Sequence, residues 1–344
     1  MRRRVALALL VWSSVALPAV LPAAPKDSAP RPDAGRVSAL PSYVRAVEPA
    51  AVGIHVEIPR DRPSVANLGA ERWGSGVIFD AGAGYALTVS YILLDAERIE
   101  VSLRDGRKVP AKLVGLDLEV GLGVVKLQGP GPWPAASFGD SSKVAVGDIT
   151  GTVGVADDGG LVATASRVEA VQPFTASWEY MLDRSFVISP YNAAFGGAAL
   201  VDASGRVIGI TSLRLGDAPH VNLAIPIEKF LPGKDELCDK GRVVSRRPRP
   251  WLGVYTLARE GGGVLVAGVS PFGPAGAAGI RRGDVIMRLN GEKVASQEDF
   301  YARLWQGSPG QDVQLVVVRA SGSGFEAVTV RPADRYRVFR TSDR

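Results

Sequence analysis

Across residues 50–58 the apolar side chains of Val52, Ile54 and Val56 alternate with smaller or polar neighbours, the period of two that puts one face of a strand on a core. His55 has the outward parity there, so a surface position is its expected place. Short strand-like runs follow one another after it, at 72–80, from Gly84, at 99–103, from Asp105, at 199–201, 206–210 and from Val221. Ser204 and Gly205 make the turn between 199–201 and 206–210, a hairpin signal. From Pro250 a second set begins, with strands at 285–289 and 313–319 and a hairpin at Asn290-Gly291. Helix is confined to a turn at 42–47, a short piece before Gly279 and residues 296–305, so the expected fold is mainly β.

Composition permits this and narrows it. At 344 residues and 46% hydrophobic, the chain can fill cores in two or three domains. Its 40 glycines and 24 prolines stay below the roughly 25–30% that marks low complexity. Arg2, Arg3 and Arg4 precede an apolar run at 5–15 and a small-residue, proline-bearing stretch through Ala24, the layout of a secretory signal peptide. Cleavage after Ala16, Ala23 or Ala24 would cut the formal charge from +5 to about +2, which gives no basis for nucleic-acid binding. An uncleaved membrane anchor over 5–24 is the alternative, against which Pro18 and Pro22 weigh. Residues 25–40 read as a disordered leader. One cysteine, Cys238, excludes an internal disulfide, and with two histidines a Cys/His metal cluster is excluded too. A partly exposed thiol is expected at Cys238, and neither cofactor nor metal.

The text of the first unit is more specific than its pattern. It contains R-W-G-S-G-V-I-F-D from Arg72, G-Y-A-L-T-V-S-Y-I-L-L-D from Gly84, D-G-R-K-V-P-A-K-L-V-G-L-D from Asp105 and S-P-Y-N-A-A-F-G-G-A-A-L-V from Ser189. F-G-D-S from Phe138, V-G-D from Val146, G-T-V-G from Gly151 and V-N-L-A-I-P-I from Val221 extend the match. Over residues 42–229 the chain resembles the HtrA (DegP-like) chymotrypsin-fold serine proteases. The resemblance implies two six-stranded β-barrels with an active cleft between them, within a domain at 41–231. It puts the family's catalytic His at Tyr91, its Asp at Gly121 and its nucleophilic Ser at Gly196, in the His, Asp, Ser order of chymotrypsin-like enzymes.

Those residue types cannot do the family's chemistry. A serine protease needs a nucleophile, a base titrating near the working pH and a carboxylate that orients the base. Tyr91, with an ordinary phenol pKa of about 10, is protonated at neutral pH, while Gly121 and Gly196 have no side chain to offer. Ser90, Ser189, Asp117 and Glu119 stand near these positions, but His55 and His220 belong to other segments. Where the family has G-N-S-G-G this chain has A-F-G-G-A, with Phe195 beside the vacant position. The expectation is an inactive homologue of a serine endopeptidase; the alternative is an endopeptidase with a rearranged site.

Residues 232–249 carry six Lys or Arg from Lys234 onward and read as a solvated linker. Beyond it, W-L-G-V from Trp251, P-F-G-P-A-G-A-A-G-I from Pro271, G-D-V-I from Gly283 and N-G-E-K-V from Asn290 resemble an HtrA-type PDZ domain, here at 250–333. The resemblance implies that a peptide adds as a strand beside residues 252–255 and along the 296–305 helix. Backbone N–H groups around Leu252 and Gly253 would then hold its terminal carboxylate. Trp251, Leu252, Gly253, Val254 and Tyr255 are the candidate groove residues, with Tyr301 or Leu304 closing the side-chain pocket. A basic tail at 334–344 ends the chain. The expected partners are peptides or protein C-termini, with a homotrimer or a mixed oligomer with active homologues as further expectations, and an exported, periplasmic or envelope location. No nucleic acid is expected, and a membrane only if the signal stays uncleaved.

Overall fold

A computed structural model describes residues 40–322 and 324–343, so the signal peptide expected at 1–24 and all of the leader but Leu40 lie outside the described residues. Six antiparallel strands, β1 (Ala51–Glu57), β2 (Glu71–Asp80), β3 (Tyr85–Val89), β4 (Arg98–Ser102), β5 (Lys108–Asp117) and β6 (Leu122–Leu127), close a barrel in the order β1-β2-β3-β6-β5-β4. A second barrel follows from β7 (Ile149–Val155), β8 (Leu161–Ala176), β9 (Tyr180–Ser189), β10 (Ala199–Asp202), β11 (Val207–Leu215) and β12 (Val221–Pro226), in the order β10-β11-β12-β9-β8-β7. Closure leaves neither barrel an unpaired edge.

The alternation in β1 does what its period requires: Val52, Ile54 and Val56 are fully buried. Its other face is not solvated throughout, because Ala51 packs with Val44, Val153 and Val155 against the second barrel. That face reaches water at Glu57 and, in part, at His55, whose ring lies 4.8 Å from Trp73 in a stack with Nε2 3.0 Å from a Glu71 carboxylate oxygen. The barrels are also joined by an aromatic trio, Phe79 of β2 with Phe138 and Phe230, at centroid separations of 5.5–5.8 Å. Edge-to-face and tilted rings of this kind add to the area they remove from water.

The third unit is a sheet in the order β14 (Val254–Ala258), β15 (Val264–Val269), β16 (Val285–Leu289), β18 (Val313–Val318), β19 (Phe325–Val330), with β17 (Glu292–Lys293) on β16 and the helix Gln297–Leu304 packed beside it. Asn290 and Gly291 both have positive φ, as the two-residue turn between β16 and β17 demands. A separate pair joins β13 (Pro250–Trp251) to β20 (Ala333–Asp334).

Two expectations need correction. Residues 232–249 are not a free linker throughout: they begin with the helix Lys234–Lys240, and two of their four arginines, Arg246 and Arg249, turn inward. Arg246 pairs at 2.6 Å with Asp117, whose side chain is 4% exposed, and Arg249 pairs at 2.9 Å with Glu119 while its guanidinium lies 4.0 Å over the Trp305 ring. Buried carboxylates draw these cations in, since an unpaired one would carry its full desolvation cost. Cys238, expected at the surface, is 7% exposed on the inner face of that helix, and burial pushes its thiol up to about 11. The basic tail folds back onto the first barrel: Arg335 also reaches Glu119, the Arg340 N–H donates to the buried Asp95 carboxylate while its carbonyl accepts the Asp95 N–H, and the Asp343 carboxylate accepts the Leu113 N–H while the Asp343 N–H donates to the Leu113 carbonyl.

Candidate functional site

Tyr91 lies on the single turn Ser90–Leu93 that follows β3. Buried Arg72 holds this turn, donating from Nη1 to the carbonyls of Tyr91 and Leu94 at 2.8 Å each. The Ser90 N–H donates to the Gly121 carbonyl at 2.9 Å, which ties the turn to the β5–β6 connection. The Tyr91 hydroxyl donates to the Ser212 carbonyl at 2.8 Å, across the cleft on β11. A Cβ on Gly196 would stand 3.0 Å from that hydroxyl. Tyr91, Gly121 and Gly196 therefore converge where the two barrels meet.

The space that two of these positions lack side chains to fill is taken by tyrosines. A Cβ on Gly121, whose φ is +87°, would lie 2.9 Å from the Tyr180 hydroxyl, which itself donates to the Val120 carbonyl at 2.6 Å. Burial pushes both the Tyr91 and the Tyr180 phenols above their ordinary value, further from use as bases. The connector at 194–198 is bound down as well. Ser75 donates its N–H to the Gly196 carbonyl at 2.7 Å and its hydroxyl to the Ala194 carbonyl at 2.9 Å. The Ala194 N–H, two residues before Gly196, is spent on the Asn192 side chain at 2.9 Å. Neither imidazole is here: His55 pairs with Glu71, and His220 Nδ1 meets the Gly216 carbonyl at 2.8 Å. Asp117 and Glu119 face the linker arginines instead.

The second candidate site is the loop entering β14. Gly253 has φ +77°, and a Cβ there would fall 2.6 Å from the Gly273 backbone. That geometry points three successive N–H groups, of Leu252, Gly253 and Val254, at one place. What they meet is the carboxylate of Glu179, at 2.9, 2.7 and 3.0 Å. Glu179 sits at the tip of the β8–β9 hairpin with φ +54° and is 1% exposed. Burial pushes its carboxyl up to about 7, against the pull of the three N–H bonds and of Arg335. Along β14 the Thr256 N–H donates to the Ser177 carbonyl at 2.8 Å. Tyr301 Oη lies 3.0 and 2.9 Å from the carbonyl oxygens of Ala176 and Ser177 and takes the Glu179 N–H at 3.1 Å.

The groove residues thus divide. Leu252, Val254 and Leu304 are core, 0–1% exposed, with Phe300. Tyr301 is buried and turned onto the hairpin, Tyr255 accepts from Asn67 of the first barrel at 2.5 Å, and Trp251 meets Phe339 of the tail edge-on at 5.6 Å. The N–H groups expected to await a terminal carboxylate already hold one.

Residues 74–210 match the family model of the trypsin-like peptidase domain, and 250–329 that of the PDZ domain. A probable periplasmic serine protease do/HhoA-like of Haemophilus influenzae is 30% identical over 265 residues, 72% of this chain and 55% of that protein. The periplasmic pH-dependent serine endoprotease DegQ of Escherichia coli is 28% identical over 331 residues, 88% of this chain and 70% of that protein. This chain is an HtrA/DegP homologue. The solved HtrA-type protease AlgW with decapeptide is similar over 85% of this chain and 98% of its own, at 27% identity and a TM-score of 0.53. Against the first curated relatives the HtrA/DegP homologue spans little more than half their length, 55% and 56%.

Sequence reasoning missed Glu179. A lone carboxylate between Trp178 and Tyr180 at a hairpin tip reads as a solvated turn residue. The one available signal was Gly253, which announced a carboxylate site without saying what fills it. The inward turn of Arg246 and Arg249 was missed for a related reason, since their partners lie about 130 residues away.

Proposed function

We propose that this HtrA/DegP homologue is an exported, non-catalytic protein that binds peptides or protein C-termini through its PDZ domain, with the paired barrels as scaffold. The observation that carries the first part is the Tyr91 hydroxyl standing 3.0 Å from the Cβ position of Gly196. A phenol fills the space in which a nucleophile and its base would meet, and no imidazole is in reach to replace it. Enzymes stripped of triad members keep roughly 10³–10⁴-fold over water, far short of peptide-bond cleavage, and that residue depends on an oxyanion hole. Here one N–H of that region, on Ala194, is bonded to Asn192.

Support for peptide binding comes from the PDZ match and from three convergent N–H groups that select a carboxylate. Export is supported by periplasmic relatives and by the expected signal peptide; among the described residues no helix is long and apolar enough to cross a membrane. Purified protein incubated with casein should leave it undigested over hours and should take up no serine-directed phosphonate label. Digestion by the parent that is lost in the Ser90→Ala or the Ser189→Ala variant would sink the non-catalytic reading and favour a rearranged site.

A further inference from the structure

We propose that the tip of the β8–β9 hairpin is the resident ligand of the PDZ groove, and that a free C-terminus binds only by displacing the Glu179 carboxylate. The proposal rests on the peptide-binding reading and adds what occupies that site and what must leave it.

The contacts at the tip are those of a bound peptide in kind and in order. A carboxylate takes three successive backbone N–H groups, at 2.7–3.0 Å. Two residues earlier in the tip, the Ser177 carbonyl accepts from Thr256 on β14, as an added strand would. The helix side of the groove contributes as well: Gln297 Nε2 donates to the Ala176 carbonyl at 3.1 Å, and the Tyr301 hydroxyl faces the Ala176 and Ser177 carbonyls. The three loop N–H groups, the Thr256 N–H, the Gln297 amide and the Tyr301 hydroxyl are thus engaged by the chain itself.

The left-handed φ of Glu179 is a second mark of a constrained arrangement, since a glutamate there is held by its contacts and not by preference. Because hairpin and groove belong to one chain, the internal carboxylate competes at high effective concentration. An outside peptide then binds with its intrinsic constant divided by the open fraction. Its carboxylate must match the three N–H bonds that Glu179 gives up.

The test uses the full chain and a library of fluorescein-labelled peptides, each made with a free and with an amidated C-terminus. Glu179→Ala and Glu179→Gly should bind free-carboxylate peptides at least 10-fold tighter than the parent, with no gain for amidated ones. Glycine at 179 accepts the positive φ, so that variant keeps the test alive if alanine impairs folding. Hydrogen exchange at the Leu252, Gly253 and Val254 amides should be slow in the parent and at least 10-fold faster in both variants. Equal peptide affinity in parent and variants would overturn the resident-ligand proposal while leaving peptide binding intact, and so would unchanged amide exchange. If no folded form binds any peptide, the peptide-binding reading fails separately, and the exchange rates alone decide whether the tip occupies the loop.

Discussion

Single residues decide the chemistry of this protein more than its barrels do. Gly121 is held at φ +87° with the Tyr180 hydroxyl in its Cβ space, so restoring a carboxylate there meets both strain and a clash. Gly121→Asp should cost on the order of 1–3 kcal/mol from the backbone alone, seen as a lower urea midpoint. The combined Tyr91→His, Gly121→Asp, Gly196→Ser chain should still leave casein intact; turnover would mean the frame accommodates the machinery after all. Glu179 sets a pH dependence. Its docked carboxyl is raised to about 7 from 4.5, chiefly by burial, with Arg335 and the three N–H groups opposing, and with the Tyr255 and Tyr301 phenols close by. An acid raised on docking holds its proton more tightly when docked. Its contribution is full below 4.5 and is lost as pH rises through about 7. Free-carboxylate peptides should therefore bind the parent more tightly at pH 8 than at pH 5, and Glu179→Ala should lose that trend.

At the scale of elements, the barrels and the PDZ sheet were legible because each strand carries its own instruction. The period of two in β1, the turn at Ser204-Gly205 and the Asn290-Gly291 hairpin are local signals, and each element formed within a few residues of its expected place. Convergence of Tyr91, Gly121 and Gly196 was legible only through the family resemblance, which carried the three triad positions onto this chain. The groove was legible only as a frame. Gly253 was expected to let backbone approach, and a Cβ there would lie 2.6 Å from Gly273 and 3.1 Å from the Trp251 ring. Gly253→Val should cost more than about 2 kcal/mol through positive φ and overlap, lowering the melting temperature and abolishing peptide binding. A variant that melts like the parent would show that the loop relaxes freely.

At the scale of the whole molecule, the PDZ domain does not hang from a tether. Arg246 and Arg249 from the connection and Arg335 from the tail close on Asp117 and Glu119, two carboxylates beside the Gly121 turn. Arg246→Ala should destabilise the chain by about 3 kcal/mol, the low end for a broken buried pair because the arginine is itself partly exposed. Burial already raises the Asp117 carboxyl against the pull of Arg246, and losing the arginine raises it further. The deficit should thus be largest at neutral pH and shrink as falling pH protonates Asp117, a trend urea titrations at several pH values would reveal.

Taken by itself, the order of residues determined the strands, the turns and the absence of a side chain at positions 121 and 196, since these depend on local periodicity and on residue identity. The two barrels and the PDZ frame followed from the motifs that carry the family resemblance. Only the tertiary structure decided that Tyr91 and Tyr180 fill the spaces left at 121 and 196, that Arg246 and Arg249 turn inward, and that Glu179 occupies the carboxylate loop. Such pairings join groups far apart along the chain. Their strength comes from burial created when the domains dock, and no local pattern encodes that.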